Sequence, residues 1–244
     1  MDNYILNASI LSSLVYNDPN TIKIYDLSLL LIINNTKTDT HGVIMIDKNN
    51  KKLYICFRGT ADEKNAITDL ECIQRKVTIG GKQVMIHDGF LKSFESIQDE
   101  IKLFAFNEYK EYDIVVCGHS LGGALAYICV SYLNIPNDIY VVTCGAPRVG
   151  DTKFSDLFFS KVIKSYRFIY CDDVVPEIPR INYVQVPIEI RLDKNGNQIK
   201  YYNIWKRFIS WIKKIKNISF KFYIIEDHSM VNYINVITIW TRNQ

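Results

Sequence analysis

The sequence predicts an α/β fold, in which a mostly parallel central sheet carries helices on both faces. Short apolar runs rich in β-branched residues alternate with segments of helical periodicity, which is the pattern of strands joined by crossover helices. The chain of 244 residues contains no internal repeat and no low-complexity linker, and its length suits one such domain. We therefore expect a single domain over residues 1–244.

The order of the elements follows from the spacing of apolar residues. A short helix is expected over 8–16, and two apolar runs joined by the polar stretch 47–50 predict a hairpin. Apolar residues three and four apart predict one long helix over 89–109. The next elements are expected in the order strand, helix, strand, helix, strand, over residues 114–117, 121–133, 139–144, 154–159 and 166–171.

Residues 118–122 read Gly-His-Ser-Leu-Gly and lie between a predicted strand and a predicted helix. In that context G-x-S-x-G is a nucleophile elbow, a strained turn that exposes its serine at the edge of the sheet. Gly118 and Gly122 remove the crowding that larger residues would cause in this turn. The amides that open the helix point at the oxyanion that forms. The motif predicts an α/β-hydrolase fold with Ser120 as the nucleophile.

A serine nucleophile needs a base, and the base needs an orienting acid. In α/β-hydrolases the acid and then the histidine follow the serine in the chain. Of the four histidines only His228 satisfies this order, and a helical stretch is expected after it. Asp172 and Asp173 directly follow the strand predicted over 166–171, so one of them is the candidate acid. Position alone does not choose between them, because aspartates also form turns.

Composition excludes several other classes of protein. The sequence contains no run of 18 apolar residues, so no membrane-spanning helix is expected. The N-terminus lacks the positive charge of a signal peptide. We therefore expect a cytoplasmic protein. The six cysteines form no C-x-x-C pair, which favours buried thiols over a metal site. No cofactor is expected. A net charge of +3 is too small to indicate nucleic acid.

Six short motifs follow one another along the chain. They are Phe57-Arg58-Gly59-Thr60, His87-Asp88-Gly89-Phe90, residues 118–126, Gly145-Ala146-Pro147-Arg148-Val149-Gly150, Asp172-Asp173-Val174-Val175-Pro176 and Asp227-His228-Ser229. With these motifs, the sequence from residue 8 to about 233 resembles the class 3 lipases, the family of the fungal triacylglycerol lipases. The resemblance implies an α/β-hydrolase whose substrates are acylglycerols or other lipid esters.

The resemblance also implies individual roles. The acid of the family falls on Asp173 and the base on His228. Backbone N–H groups of Thr60 and of Leu121, the residue after the nucleophile, would form the oxyanion hole. The family's lid falls on residues 61–70, which carry Asn65-Ala66 where family lids have Asn-Trp. Because the lid aromatic is missing, we do not expect strong activation by an oil–water interface.

A basic segment occupies residues 198–222, with seven cations and no acid. At helical spacing, Lys206, Arg207, Lys213 and Lys214 share a face opposite an apolar face that includes Trp205 and Trp211. Such a helix can lie in an anionic membrane surface. The alternative, which the sequence favours slightly, is a helix that buries its apolar face on the sheet and solvates its lysines.

Three functions remain open at this point. The first is a serine hydrolase that cleaves acyl esters of lipids through a Ser-His-Asp triad and an acyl-enzyme. The second is an esterase or phospholipase that acts on another acyl ester, and the polar candidate lid favours a small ester. The third is a lipase-like scaffold that binds without turnover, since a fold does not prove an activity. A nucleic-acid partner is not expected, because the basic segment contains no recognised binding motif.

Overall fold

A computed structural model describes residues 3–60, 72–107, 109–199 and 226–244. The candidate lid over 61–70 and nearly all of the basic segment over 198–222 lie outside the described residues. The central sheet has seven strands in the order β1-β2-β3-β6-β7-β8-β9. Its strands are β1 (Ser28–Asn35), β2 (Thr40–Asp47), β3 (Lys52–Phe57), β6 (Asp113–His119), β7 (Ile139–Cys144), β8 (Lys164–Tyr170) and β9 (Glu189–Leu192).

The strands from β3 to β9 in the central sheet run parallel, whereas β1, β2 and β3 are antiparallel neighbours. A separate hairpin joins β4 (Gln74–Ile79) to β5 (Lys82–His87). The described helices are α1 (Tyr4–Leu14), α2 (Asp88–Glu95), α3 (Gln98–Asn107), α4 (Leu121–Tyr132), α5 (Thr152–Phe159) and α6 (Met230–Arg242). This arrangement confirms the predicted α/β fold.

Both faces of the sheet are covered by helices, which explains why its central strands are apolar at consecutive positions. Helices α2 to α5 pack with Leu53, Ile55 and Phe57 of β3 on one face. Helices α1 and α6 pack with Tyr54 and Cys56 on the other. Successive residues of a strand point to opposite faces, so a strand covered twice must be apolar throughout. The hairpin predicted around residues 47–50 is confirmed as β2 and β3.

The single long helix predicted over 89–109 is wrong. The chain instead forms α2 and α3, which are separated by Ser96 and Ile97. The Ser96 carbonyl, which a continuous helix would use internally, accepts a hydrogen bond of 3.0 Å from the Asn35 side chain. Its hydroxyl contacts that of Thr38 at 2.7 Å. These contacts come from the β1–β2 turn, so a tertiary interaction divides the predicted helix.

Three parallel strands deliver the candidate site residues to one edge of the sheet. Strand β6 ends at His119, β7 at Cys144 and β8 at Tyr170. The elbow serine, Gly145 and the two candidate aspartates therefore follow directly after neighbouring strands. Ligands of open α/β sheets bind at such carboxyl ends.

Candidate active site

Ser120 has the strained conformation that a nucleophile elbow requires. Its φ is 55° and its ψ is −127°, a region that side chains rarely adopt. A Cβ at Gly118 would lie 2.4 Å from the carbonyl carbon of Gly122. A Cβ at Gly122 would lie 2.2 Å from the carbonyl oxygen of Phe57. Only glycine fits at both positions, so strand β6 and helix α4 can meet at this sharp turn.

The backbone around Ser120 is tied to the neighbouring strand. The Ser120 amide donates to the carbonyl of Cys144 at 3.0 Å. The Ser120 carbonyl accepts from the amides of Gly123 and Ala124 and so begins α4. Leu121 is the first residue of that helix, and the amide of a first residue has no acceptor within its own helix. The Leu121 N–H is therefore suited to bind an anion beside Ser120.

The side chain of Asp173 is fully buried and accepts three hydrogen bonds. Its Oδ1 accepts from the amide of Val175 at 2.9 Å. Its Oδ2 contacts Nδ1 of His228 at 2.7 Å and accepts from the hydroxyl of Tyr233 at 2.6 Å. The structure thus brings Asp173 to His228, and Asp172 is half-buried beside it. These three donors replace the water that burial removes from the carboxyl group.

His228 is also fully buried and lies just before α6. A carboxylate oxygen can only accept a hydrogen bond, so Nδ1 of His228 carries a proton and donates to Oδ2 of Asp173. In the neutral ring the lone pair then lies on Nε2, as a general base requires. The pair fits tightly against Gly145, whose φ is 61°. A Cβ there would lie 2.7 Å from Cε1 of His228 and 2.8 Å from Oδ2 of Asp173.

His228 and the turn at Ser120 are joined through His119. The His119 ring lies 4.4 Å from the His228 ring, and its Nε2 contacts the His228 carbonyl at 2.8 Å. Nothing in the local sequence around His119 predicts this contact. Ser120 follows His119, and its amide bonds Cys144, the residue before Gly145. The segments that carry Ser120, Asp173 and His228 therefore meet at the same end of the sheet.

Tyr233 is a further site residue that sequence reasoning missed. It lies on α6, five residues after His228, and is fully buried. Burial and the charge of Asp173 raise the pKa of its hydroxyl well above the usual value, so Tyr233 stays a donor at neutral pH. The available signal was a tyrosine at helical spacing from the apolar residues that α6 buries. Nothing in that spacing identified Asp173 as its partner.

An ionic cluster centred on the buried Arg191 holds the loop that carries Asp173. Arg191 on β9 donates to the Cys171 carbonyl at 2.8 Å and to Glu177 at 3.1 Å. Glu177 also pairs with Arg148 at 3.2 Å. The loop is therefore fixed before and after the acid, from β9 and from the segment after β7. Contacts of this kind fix the position of the side chain that the loop carries.

The turn that carries Thr60 packs against the elbow. A Cβ at Gly59 would lie 2.1 Å from the Tyr16 hydroxyl and 2.8 Å from the His119 carbonyl. Thr60 follows directly and is half-buried. Thr60 and Leu121 thus lie on the two segments that flank Ser120, one after β3 and the other at the start of α4.

Neither a metal centre nor a membrane span is found in the described parts of the chain. There, no three His, Cys, Asp or Glu side chains are arranged to hold a metal ion. No helix among the same residues is long and apolar enough to cross a bilayer.

A strained serine between strand and helix, with a buried Asp–His pair at the same sheet edge, is the arrangement found in serine hydrolases of the α/β-hydrolase fold. The chain belongs to the class 3 lipase family, since the family model described as Lipase (class 3) matches residues 54–183, more than half of its length.

Individual relatives support this membership. A lipase of Rhizomucor miehei is 32% identical over 164 residues, which cover 63% of this chain and 45% of that protein. Secreted mono- and diacylglycerol lipase 1 of Fusarium solani is 32% identical over 152 residues, covering 60% and 45%. A triacylglycerol lipase structure whose catalytic centre is a serine protease triad has a TM-score of 0.70 and 27% identity, covering 80% and 82%. The chain spans less than half the length of these two curated relatives.

Proposed function

We propose that the protein hydrolyses acyl esters of lipids, with acylglycerols as substrates, through Ser120, His228 and Asp173. The observation that carries this proposal is the buried Asp173–His228 pair, 2.7 Å between Oδ2 and Nδ1, beside a serine held at a φ of 55°. The names of the relatives, which include triacylglycerol lipase and mono- and diacylglycerol lipase, support the substrate class.

In the proposed mechanism, Nε2 of His228 takes the proton of the Ser120 hydroxyl while Oγ attacks the ester carbonyl. The bond to the alcohol then breaks, and the imidazolium gives its proton to the departing alkoxide. Water attacks the resulting acyl-enzyme with the same assistance, which releases the fatty acid and restores the serine. The negative charge of Asp173 stabilises the imidazolium in both steps.

The proposed oxyanion hole uses the N–H groups of Thr60 and Leu121. Leu121 is supported by its position at the first turn of α4, where amides lack helical acceptors. Thr60 is supported by the tight packing of its turn against the elbow at Gly59. Donors of this kind act before reaction begins and are worth roughly 10²–10³ in kcat each.

A smaller soluble ester or a phospholipid is the alternative substrate. The polar run Asp62-Glu63-Lys64 and the small residue Ala66 in the candidate lid favour a small ester over an oil surface. A scaffold without turnover is disfavoured, because all three triad residue types are present in the required order.

The deciding experiment compares substrates under one condition. p-Nitrophenyl esters of increasing chain length are assayed beside emulsified triacylglycerol and phospholipid vesicles, with Ser120→Ala as the matched control. We expect turnover of long-chain esters and acylglycerol that is lost in the control. Turnover of short esters alone would assign the esterase function, and no turnover of any ester would favour the scaffold.

We also propose that the basic segment over 198–222 contacts anionic membranes. Its support is the charge pattern, seven cations without an acid opposite an apolar face with two tryptophans. A triacylglycerol or phospholipid substrate is held in such an interface, so attraction to it would raise the local substrate concentration.

A further inference from the structure

His119 makes two hydrogen bonds in the protein interior, where only 1% of its surface is exposed. Its Nε2 lies 2.8 Å from the carbonyl oxygen of His228, and its Nδ1 lies 2.9 Å from the hydroxyl of Tyr16. His228 lies in the loop before α6, His119 ends β6, and Tyr16 lies in the segment after α1. Distant parts of the chain therefore meet at one imidazole.

The partners of His119 determine its tautomer. A carbonyl oxygen can only accept, so Nε2 of His119 must carry a proton and donate to His228. Burial, together with repulsion from His228 when that ring is protonated, lowers the pKa of His119 well below the usual value, which favours the neutral ring. In the neutral ring Nδ1 is an acceptor, and the Tyr16 hydroxyl donates to it.

These contacts fix the backbone of the catalytic base. The side chain of His228 is held by Asp173 through Nδ1, and its main chain is held by His119 through the carbonyl oxygen. The two attachments lie at opposite ends of one residue. Together they set both the position and the orientation of the imidazole that must reach Ser120.

Tyr16 links His119 to the turn formed by Gly59 and Thr60. Its hydroxyl oxygen would lie 2.1 Å from a Cβ at Gly59, so this hydroxyl packs directly against the residue before Thr60. The same oxygen bonds His119, the residue before Ser120. A movement of Tyr16 would therefore disturb the base and the proposed oxyanion donor together.

We propose that Tyr16 and His119 form a positioning relay for the triad, in which the neutral Nε2–H tautomer of His119 holds the His228 carbonyl in place. This role rests on the ester hydrolysis proposed above. Neither residue touches the ester, and both act through His228 and the turn at Gly59.

The kinetic test uses a soluble short-chain p-nitrophenyl ester and the full chain. His119→Phe keeps an aromatic ring but removes the donor, and should lower kcat about 10- to 100-fold while KM changes by less than about twofold. His119→Gln restores an N–H at similar reach and should recover most of the lost kcat. Tyr16→Phe should also lower kcat, whereas Tyr25→Phe, at a tyrosine that is 89% exposed, should not.

The spectroscopic test reads the tautomer directly. In protein with ¹⁵N-labelled histidine, Nε2 of His119 should be protonated and Nδ1 unprotonated at neutral pH, with assignment from His119→Gln. In Tyr16→Phe the Nδ1 signal should shift because its donor is lost. A proton on Nδ1, or a charged ring, would overturn the proposal even if His119→Phe failed to fold.

The outcomes separate this proposal from the proposed function. If the wild-type chain hydrolyses no ester, the hydrolase function fails, whereas the tautomer measurement still tests the contact. If the wild-type chain is active and a folded His119→Phe is equally active, the relay is wrong and the hydrolase function stands. Equal kcat in His119→Gln and His119→Phe would likewise reject the donor role.

Discussion

The hydroxyl of Tyr233 donates to Oδ2 of Asp173 at 2.6 Å, the same oxygen that contacts Nδ1 of His228. All three side chains are fully buried. The acid of the proposed triad is therefore held by a side chain that arrives from the helix following the base. This shared oxygen ties the orientation of the acid to the packing of α6.

We expect Tyr233→Phe to lower both stability and activity. It removes a hydrogen bond to a buried charge, so the free energy of unfolding should fall by about 1.5–3 kcal/mol. The carboxylate keeps its bond to His228, so kcat should fall without being abolished. Urea unfolding and ester kinetics measure the two effects, with Tyr25→Phe as the control at an exposed tyrosine. Unchanged stability would show that the bond is not formed in solution.

Ser120→Ala should abolish ester hydrolysis, because it removes the only oxygen that can attack the carbonyl from the elbow. A fluorophosphonate probe should label the wild-type protein and leave this variant unlabelled, as read by intact mass. Circular dichroism checks that the variant is folded. Labelling that persisted in Ser120→Ala would mean that another residue is the nucleophile.

The two aspartates should separate clearly in kinetics. Asp173→Asn should lower kcat by about 10⁴, since loss of the orienting charge has that effect in the serine protease triad. Asp172→Asn should be much milder, because the hydrogen bond to His228 comes from Asp173. The two variants make the same Asp→Asn change at adjacent positions, so each controls for the other. A reversed ranking of the two kcat values would assign the acid to Asp172.

Activity should fall as the solution is acidified. The proposed base must be neutral to accept the Ser120 proton, and the imidazolium that forms at lower pH cannot do so. His228→Ala should remove the activity, whereas His41→Ala should retain it with the same pH profile. The measurement is kcat/KM from acidic to neutral pH with a soluble ester. Full activity in His228→Ala would require a different base.

The cations of the basic segment over 198–222 should be needed for binding to anionic membranes. Changing Lys206, Arg207, Lys213 and Lys214 to Gln should weaken binding to anionic vesicles, since each surface cation is worth about 1 kcal/mol. Binding by the wild-type protein should also weaken with salt, because charges are screened over ~10 Å at 0.1 M. Hydrolysis of a soluble ester should remain near normal.

Cosedimentation with anionic and neutral vesicles decides between the two interpretations of this segment. If its apolar face packs on the sheet instead, the four changes leave activity on vesicles intact and Trp211→Ala unfolds the protein. Equal binding of the wild-type chain to both vesicle types would exclude an electrostatic membrane contact.

The sequence predicts those features of the fold and site that depend on residues close together in the chain. The elbow at Ser120 was predictable because its glycines meet a local steric need. The single long helix failed at Ser96, where the interrupting contacts reach back to Asn35 and Thr38. Strand β4 was missed because its residues Gln74–Ile79 alternate polar with apolar only weakly.

Long-range contacts account for the site residues that sequence reasoning missed. Tyr16 and His119 are 103 positions apart, and His119 and His228 are 109 apart. Nothing in local spacing links such positions. Asp173 was favoured over Asp172 by resemblance alone, and the physical distinction between them arises only when α6 brings His228 and Tyr233 to one carboxylate.

The backbone conformation of Ser120 implies a trade-off between the proposed activity and the stability of the fold. A serine at a φ of 55° costs the fold about 1–3 kcal/mol, whereas glycine adopts that region without strain. A lineage that did not need the proposed hydrolysis could therefore gain stability by one substitution at this position. Any directed-evolution campaign that selects only for heat resistance would tend to lose the proposed nucleophile, so activity must be selected in the same round.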